Sequence, residues 1–207
     1  MTAGGIVLCG GGSRRMGRPK AMLPFGPERM LQRVVRLVGE AVEPVVVVAA
    51  AAQELPELPP GVEVLRDRRP DRGPLEGMAV GLRALAGRVE AAFVTACDVP
   101  LLVPALVRRV VELAEGYDAA VPHAGGRYHP LAAVYRTSVL EAIEALLRAD
   151  RLRPAWLLDR VRTRRITADE LQDVDPGLVS LANLNGPADY LAALAGSGFP
   201  PPEEPPG

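Results

Sequence analysis

Short apolar runs alternate with amphipathic, helix-patterned stretches along most of the chain, and this alternation limits the fold more than any other feature. Two of the runs, Val45–Ala50 and Ala91–Ala96, are apolar almost throughout. Strands have this composition when both of their faces are buried. The sequence therefore predicts the α/β class, as a three-layer α/β/α, Rossmann-like arrangement around a mostly parallel sheet.

The predicted elements follow one another without an internal repeat. The predicted strands are Gly5–Leu8, Val45–Ala50, Val62–Leu65, Ala91–Ala96, Ala119–Pro122 and His129–Arg136, with short late strands at Arg164–Ile166 and Leu178–Ala182. The predicted helices are Met30–Val42, Leu75–Leu85, Pro104–Glu115, Val139–Arg148, Pro154–Val161 and Pro187–Leu194. We expect one domain over residues 1–195 and a disordered, proline-rich tail over residues 196–207.

The composition argues against several classes of protein. A net charge of −1 disfavours general nucleic-acid binding, and no apolar run approaches the roughly 18 residues that a membrane span needs. The two cysteines, Cys9 and Cys97, give neither a disulfide framework nor zinc-site spacing. No signal-peptide pattern precedes the first strand. We therefore expect a cytoplasmic protein with no membrane or nucleic-acid partner.

A glycine-rich, cationic loop follows the first predicted strand. Three glycines, Gly10–Gly12, are followed by Arg14, Arg15, Arg18 and Lys20, and Lys20 is the only lysine in the chain. Glycines allow backbone N–H groups to approach an anion, and the cations add charge for a polyphosphate. The loop is neither a Walker A motif nor a dinucleotide fingerprint. It predicts a triphosphate site in which Lys20 and Arg15 neutralise the charge that develops as pyrophosphate leaves.

Asp98 comes just after a buried strand, at the sheet edge where open α/β proteins bind ligands. A carboxylate in that position can hold Mg²⁺ together with substrate phosphates. Asp98 could instead cap a turn before Pro100. Because the cationic loop is expected at the same edge, we favour the metal.

The segment after the third strand allows two interpretations. Asp67 ends that strand, and Gly73 and Gly77 flank the start of a helix, where small residues would let a base or ribose reach the backbone. The same segment also fits a solvated loop of loosely paired charges. The residues alone do not separate the two.

Asn183 and Asn185 are the only asparagines in the chain. On an extended segment, alternate residues face the same side, so the two amides could bind a polar heterocycle or a phosphate. Asn185 could also cap the following helix. His123 and His129 favour structural or substrate contacts over a metal site, because no third ligand is evident.

Taken in order, these segments resemble the molybdenum cofactor guanylyltransferase family, the MobA-like nucleotidyltransferases. The resemblance covers roughly residues 5–195. The matching segments are Leu-Cys-Gly-Gly-Gly-Ser-Arg-Arg-Met-Gly-Arg-Pro-Lys (8–20), Leu-Pro-Phe-Gly (23–26), Gly-Pro-Leu-Glu-Gly (73–77), Cys-Asp-Val-Pro (97–100), His-Pro-Leu (129–131) and Asn-Leu-Asn-Gly-Pro (183–187).

The resemblance implies a nucleotidyltransferase fold and a reaction in which GMP passes from GTP to molybdenum-molybdopterin, with release of pyrophosphate. It implies Mg²⁺ at Asp98, triphosphate contacts from Lys20 and Arg15, and transient contact with other molybdenum cofactor proteins. Asn183 and Asn185, with Arg151 or Arg153, are expected to face the pterin. The remaining implied nucleotide contacts are the backbone of Leu8, Cys9 and Gly10, together with Asp67, Gly73 and Gly77.

The chain departs from the family pattern in two places, and alternatives remain. Cys9 stands where the family often has alanine, and Val48–Ala52 lacks an asparagine that some members use to contact the nucleotide. Base selectivity is therefore less firmly implied than the reaction class. The alternatives are a cytidylyltransferase acting on the same pterin, a sugar-1-phosphate nucleotidyltransferase, for which the chain is short, and a non-catalytic nucleotide-binding adaptor, against which Lys20 and Asp98 argue.

Overall fold

The computed structural model describes residues 1–10, 19–67 and 72–202. Its strands are β1 Ala3–Cys9, β2 Pro24–Phe25, β3 Glu28–Arg29, β4 Val45–Ala50, β5 Glu63–Asp67, β6 Ala91–Ala96, β7 Ala119–Ala124, β8 Arg127–Tyr128, β9 Ala132–Arg136 and β10 Thr163–Thr167. Its α-helices are α1 Met30–Gly39, α2 Gly73–Leu85, α3 Pro104–Leu113, α4 Leu140–Arg148, α5 Ala155–Leu158 and α6 Pro187–Gly196.

The main sheet has the strand order β10-β7-β9-β6-β1-β4-β5, with β8 added beside β7. All pairings in the main path are parallel except those of β9, which runs antiparallel to β6 and β7. The predicted mostly parallel sheet is confirmed. The two apolar runs that suggested it, β4 and β6, form with the predicted bounds and lie on either side of β1.

Helices cover both faces of the sheet, which confirms the three-layer arrangement. One buried cluster joins one face of the sheet to α1 and α3. A second joins the opposite face to α2 and α4. Alternate residues of β1 divide between the two: Val7 and Cys9 face α1, whereas Ile6 and Leu8 face α2. The central strand is therefore buried on both sides, as its composition requires.

Two glycines of α2, Gly77 and Gly81, face β1 where a Cβ atom would have little room. A Cβ atom at Gly81 would come within 2.7 Å of Ile6, and one at Gly77 would lie 3.0 Å from Leu8. At such distances the neighbouring side chain would have to shift, which a close-packed core resists. The small residues on this face of α2 thus bring the start of the helix close to the strand that leads into the glycine-rich loop.

Two local predictions were wrong. Residues 178–182 do not form a strand; Val179–Leu181 is a 3₁₀ turn that starts from Leu178 in a left-handed conformation, with φ 46°. The buried carboxylate of Asp175 accepts the N–H groups of Val179 and Ser180 at 3.1 and 3.0 Å, and so replaces the ladder bonds of a strand. Helix α5 is also shorter than predicted, ending at Leu158.

The expectation of a disordered tail from Gly196 was wrong for its first residues. Gly196 is the last residue of α6, and the ring of Phe199 packs edge-on against Phe25 with 5.7 Å between centroids. The hydroxyl of Tyr190 donates to the carbonyl of Pro24. The end of the chain therefore holds the β2–β3 hairpin, a two-strand unit that pattern reasoning missed. Residues 203–207 lie outside the described part.

Within residues 1–10, 19–67 and 72–202, no helix combines the length and the apolar character that crossing a membrane would require.

Candidate functional site

The polar residues singled out from the sequence gather at the carboxyl edge of the parallel strands. Cys9 ends β1, Asp67 ends β5, and Asp98 follows β6 by two residues. Strand β6 is three positions from β5 in the sheet, which corresponds to about 14 Å at the usual strand spacing. The edge is thus wide enough for an extended ligand with Asp98 near one end and Asp67 near the other.

Asp98 and Lys20 form an ion pair at this edge. The ammonium nitrogen of Lys20 lies 2.8 Å from Oδ2 of Asp98, and the two side chains are only 18% and 16% exposed. Lys20 opens a short 3₁₀ turn, Lys20–Met22, that follows the glycine-rich loop. The structure therefore brings together the single lysine and the proposed metal ligand, which are 78 positions apart in the sequence.

Asp98 is also fixed from the opposite side by the segment that leads into α6. The side-chain amide of Asn183 donates to Oδ1 of Asp98 at 2.9 Å, and the N–H of Leu184 donates to the Asp98 carbonyl at 2.9 Å. Oδ1 of Asp98 thus accepts a hydrogen bond from the Asn183 amide, and Oδ2 faces the Lys20 ammonium. Asn183 therefore acts on Asp98, a relationship that its position in the sequence did not indicate.

Asn185 does not cap α6 through its side chain. Its amide donates to the carbonyl of Asn183 at 3.2 Å, and the residue at the N-cap position is Gly186. The carboxylate of Asp189 accepts the N–H groups of Asn185 and Gly186 at 2.9 and 3.1 Å. Asp189 thereby satisfies the start of the helix. Asn185 is exposed and lies beside Asn183, the residue that holds Asp98.

The residues around Asp98 fit a Mg²⁺ site of the kind that substrate phosphates complete. The ammonium of Lys20 already stands where a cation would meet Oδ2, so this position accepts positive charge. Among the described residues there is no cluster of three or more His, Cys, Asp or Glu side chains able to enclose a metal. A Mg²⁺ ion here would therefore take one carboxylate from the protein and its other ligands from phosphate and water.

The glycines near Asp67 have identifiable conformational or packing roles. Gly73, at the first turn of α2, has φ +66°, a value that favours glycine. Gly77 faces Leu8, as described above. Just before this turn, Arg72 pairs with Asp150 at 2.7 Å. Contacts from Asp67, Gly73 and Gly77 to a nucleotide stay predictions, as does the role of Arg15, which lies outside the described residues.

The ends of β1 and β6, which lead into the two site segments, are hydrogen-bonded to each other. The carbonyl of Leu8 accepts the N–H of Cys97 at 3.0 Å, and Cys9 and Cys97 are both buried. Gln53, which the sequence analysis did not single out, donates its amide to Sγ of Cys9 at 3.2 Å. Gly10, the first loop residue, is exposed. The backbone of Leu8, Cys9 and Gly10, which was expected to contact guanine, therefore lies next to two buried thiols.

Arg33 is a second residue that the sequence did not reveal. Its Nε donates to the carbonyl of Pro100 at 2.7 Å, and its guanidinium lies 4.9 Å from the ring centroid of Phe25 and 5.7 Å from that of Phe199. It therefore connects α1 to the segment after Asp98, to the hairpin after Lys20 and to the end of the chain. Only the assembled fold could identify this role.

The two histidines are held in the β7–β8 hairpin. Nε2 of His129 lies 3.3 Å from the carbonyl of Ala124, and burial lowers the pKa of His129. Nδ1 of His123 lies 3.0 Å from the guanidinium of Arg165. Because a guanidinium only donates, Nδ1 of His123 is the acceptor. These contacts agree with the structural interpretation of both histidines.

Proteins with known names are similar in sequence to this chain over most of its length. The "probable molybdenum cofactor guanylyltransferase" of Mycobacterium ulcerans is 43% identical over 194 residues, 92% of each chain. The protein of the same printed name from Pelotomaculum thermopropionicum is 36% identical over 194 residues, covering 93% of this chain and 92% of its own.

Solved structures share the fold at lower identity. The molybdopterin-guanine dinucleotide biosynthesis protein A of Archaeoglobus fulgidus superposes with a TM-score of 0.78 at 21% identity, covering 96% of this chain and 99% of its own. The 2-C-methyl-D-erythritol 4-phosphate cytidylyltransferase of Thermus thermophilus gives 0.70 at 20% identity, covering 96% and 100%.

Fold and site together define an α/β nucleotidyltransferase, an enzyme that transfers a nucleotide. The family model described as "MobA-like NTP transferase domain" matches residues 5–163. The chain belongs to the MobA-like NTP transferase family.

Proposed function

We propose that this protein transfers GMP from GTP to molybdenum-molybdopterin, forming the guanine dinucleotide cofactor and pyrophosphate. The observation that carries the proposal is the Lys20–Asp98 pair, held at 2.8 Å at the end of the glycine-rich segment. The names of relatives at 36 and 43% identity support guanine as the base and molybdopterin as the acceptor. Mg²⁺ dependence and a cytoplasmic location are part of the proposal and rest on the sequence.

Lys20 has the central role toward the triphosphate. Its ammonium is a compact donor on a flexible stem, and it sits at the exit of the loop whose glycines and arginines are expected to surround the phosphates. When the triphosphate binds, Lys20 contacts it and offsets the negative charge that moves onto the departing pyrophosphate. An arginine would place its charge farther out and in a plane, so it would not substitute.

The position of Asp98 is fixed by hydrogen bonds before any metal binds. Asn183 and the N–H of Leu184 fix its carboxylate and its carbonyl, so little reorganisation is needed when the substrate arrives. Bound at Oδ2, Mg²⁺ would supply Lewis-acid stabilisation of the phosphate oxygens. The acceptor is a phosphate monoester that is already anionic near neutral pH, and the protein needs no side-chain base to activate it. The residues therefore orient the two substrates and balance charge.

The acceptor is proposed to lie on the Asn183–Asn185 side of Asp98. Asn183 is engaged with Asp98, and the amide of Asn185 is directed at the backbone of Asn183. A ligand bound here can exchange the weaker 3.2 Å contact of Asn185 for its own polar groups. The proposal therefore puts the attacking phosphate beside Asn183 and Asn185 and the guanine at the end of β1.

The proposal is tested by offering the purified protein molybdenum-molybdopterin, Mg²⁺ and either GTP or CTP, and identifying the products by mass spectrometry. We expect the guanine dinucleotide and pyrophosphate in equal amounts, with much lower turnover of CTP. Higher kcat/KM with CTP would transfer the assignment to the cytidylyl alternative. Lys20→Ala is the matched inactive control, and product formation by that variant at the wild-type rate would contradict the role of Lys20.

A further inference from the structure

The segments that carry Lys20 and Asp98 are both anchored in a small apolar cluster, separate from the two main clusters of the core. Leu23, three residues after Lys20, belongs to this cluster, and so does Phe25 of β2. Leu101, three residues after Asp98, packs against it. Because each polar residue is so close in sequence to its anchor, the position of the ammonium relative to the carboxylate depends on how this cluster is held together.

Arg33 of α1 contacts both of these segments with one guanidinium group. Its Nε donates to the carbonyl of Pro100, two residues after Asp98, at 2.7 Å. The guanidinium carbon lies over the ring of Phe25, in the segment after Lys20, at 4.9 Å from the centroid. The side chain is only 19% exposed, so both contacts are largely shielded from water. Arg33 therefore couples the two segments through Pro100 and Phe25.

The shape of the guanidinium group allows both contacts at once. Its N–H groups donate within its plane, while its face stacks on an aromatic ring. A lysine ammonium is a point charge on a flexible stem, so it does not fix a carbonyl and a ring at a set angle. Glu28 of β3 adds an attraction on the same side, with one carboxylate oxygen 3.7 Å from Nη1 of Arg33. The arginine thus fixes the orientation of the hairpin relative to Pro100 as well as its distance.

We propose that Arg33 is a positioning residue that sets the spacing between the ammonium of Lys20 and the carboxylate of Asp98 by tying Phe25 to Pro100. The inference rests on the proposed function, in which this pair serves the triphosphate and the metal. A misplacement of about 1 Å in such groups can cost about 100-fold in rate. Without Arg33 the two segments move relative to each other, while the residues expected to bind GTP are all retained. The loss therefore falls on turnover more than on GTP affinity.

Arg33→Met tests this role in turnover, because it keeps an apolar stem and removes the guanidinium. We expect kcat to fall by about 10–100-fold and the Kd of GTP, measured by calorimetry, to change by less than about threefold. Arg33→Lys, which keeps only the charge, should show most of the same loss. Arg36→Met is the matched control, since Arg36 lies on the same helix and pairs with Glu28 and Glu40 at 2.8 and 2.5 Å. Equal losses of kcat in Arg33→Met and Arg36→Met, or full turnover by Arg33→Lys, would overturn the proposal.

A double-mutant cycle distinguishes positioning from a general loss of stability. In a chain that already carries Lys20→Ala there is no ammonium to place, so adding Arg33→Met should lower kcat by at most about threefold more. A residue that only stabilises the fold would give the same factor in both backgrounds. Two losses that simply multiply would therefore contradict a role through Lys20.

A measurement without substrate separates this inference from the proposed function. Lys20 is the only lysine of the chain, so incorporation of ¹³C-labelled lysine gives a single side-chain Cε signal in NMR spectra. Asp98→Asn defines where that signal lies when the ion pair is lost. We expect Arg33→Met to move the signal toward that position and Arg36→Met to leave it in place.

An unmoved signal in Arg33→Met would overturn the positioning role. A protein in which the signal moves as expected, but which does not turn over GTP even unaltered, would overturn the proposed function alone. Folding of each variant is checked by circular dichroism. Where Arg33→Met does not fold, Arg33→Gln, which adds no second lysine signal, takes its place in all three measurements.

Discussion

The side-chain amide of Asn183 donates a 2.9 Å hydrogen bond to Oδ1 of Asp98, the carboxylate whose other oxygen meets the ammonium of Lys20. This amide orients the carboxylate without touching the cation. Groups that orient a metal ligand in this way commonly change metal affinity about 10–100-fold when removed.

Asn183→Ala is therefore expected to weaken Mn²⁺ binding, used here as a spectroscopic substitute for Mg²⁺, by about tenfold in the presence of GTP. Asn183→Asp should weaken it less than Asn183→Ala, because the second carboxylate attracts the divalent cation although the hydrogen bond to Asp98 is lost. The affinities can be measured by electron paramagnetic resonance of free Mn²⁺. Asn185→Ala is the matched control, since its side chain does not contact Asp98; an equal loss in both variants would contradict the orienting role of Asn183.

Replacement of Lys20 should have two effects of opposite sign. Lys20→Ala is expected to lower kcat by about 10²–10³, the usual cost of removing a group that stabilises developing charge. The same variant should bind Mn²⁺ more tightly in the absence of nucleotide, because the ammonium no longer competes for Oδ2 of Asp98. Turnover assays and a nucleotide-free Mn²⁺ titration check the two parts. Lys20→Met, which keeps the side-chain length, should behave in the same way.

Thr95 carries a buried hydroxyl that has no hydrogen-bond partner in the described part of the chain. The side chain is fully buried on β6, and its oxygen makes no hydrogen bond within the described residues. Thr95→Val should raise the free energy of unfolding by about 1 kcal/mol, because the isosteric methyl group avoids the cost of burying an unpaired polar group. Urea unfolding provides the measurement. Thr163→Val is the matched control and should destabilise, since the Thr163 hydroxyl bonds to the Leu158 carbonyl at 2.9 Å.

Shortening the C-terminal segment should affect the stability of the chain at a defined residue. A chain that ends at Gly198 loses the ring of Phe199 against Phe25 and Arg33, whereas a chain that ends at Pro200 keeps it. We expect the shorter chain to have a Tm about 2–6 °C lower, as for a loss of about 1–1.5 kcal/mol in a protein of this size. Calorimetry compares the two chains. Equal Tm values would mean that Phe199 contributes nothing.

Much of the fold followed from residue patterns because those patterns report burial. Strands β4 and β6 were predicted with their observed bounds, since a run that is apolar on both faces belongs inside a covered sheet. The proximity of Lys20 and Asp98 followed from the same argument, because parallel strands end at one edge. These predictions needed the order of the elements but not their packing.

Other features depended on contacts between distant segments. Residues 178–182 have the apolar content of a strand, but the carboxylate of Asp175 captures their N–H groups locally. Arg33 and Gln53 have unremarkable sequence surroundings, and their partners are Pro100 and Cys9. The juxtaposition of Cys9 and Cys97 required the register of β1 on β6. Single-sequence patterns contain none of this information, because each contact is set by tertiary packing.

The hydroxyl of Tyr190 bonds to the carbonyl of Pro24, and Phe199 covers Phe25 in the same hairpin. The hairpin after the Lys20 turn is therefore secured by Tyr190, 166 positions further along the chain than Pro24. During synthesis, the first strand and its glycine-rich loop are complete long before the segment that holds them in place has been made. A nascent chain can pair β1 with β4 and β6 early, yet the hairpin after the Lys20 turn is secured only once Tyr190 and Phe199 have been made.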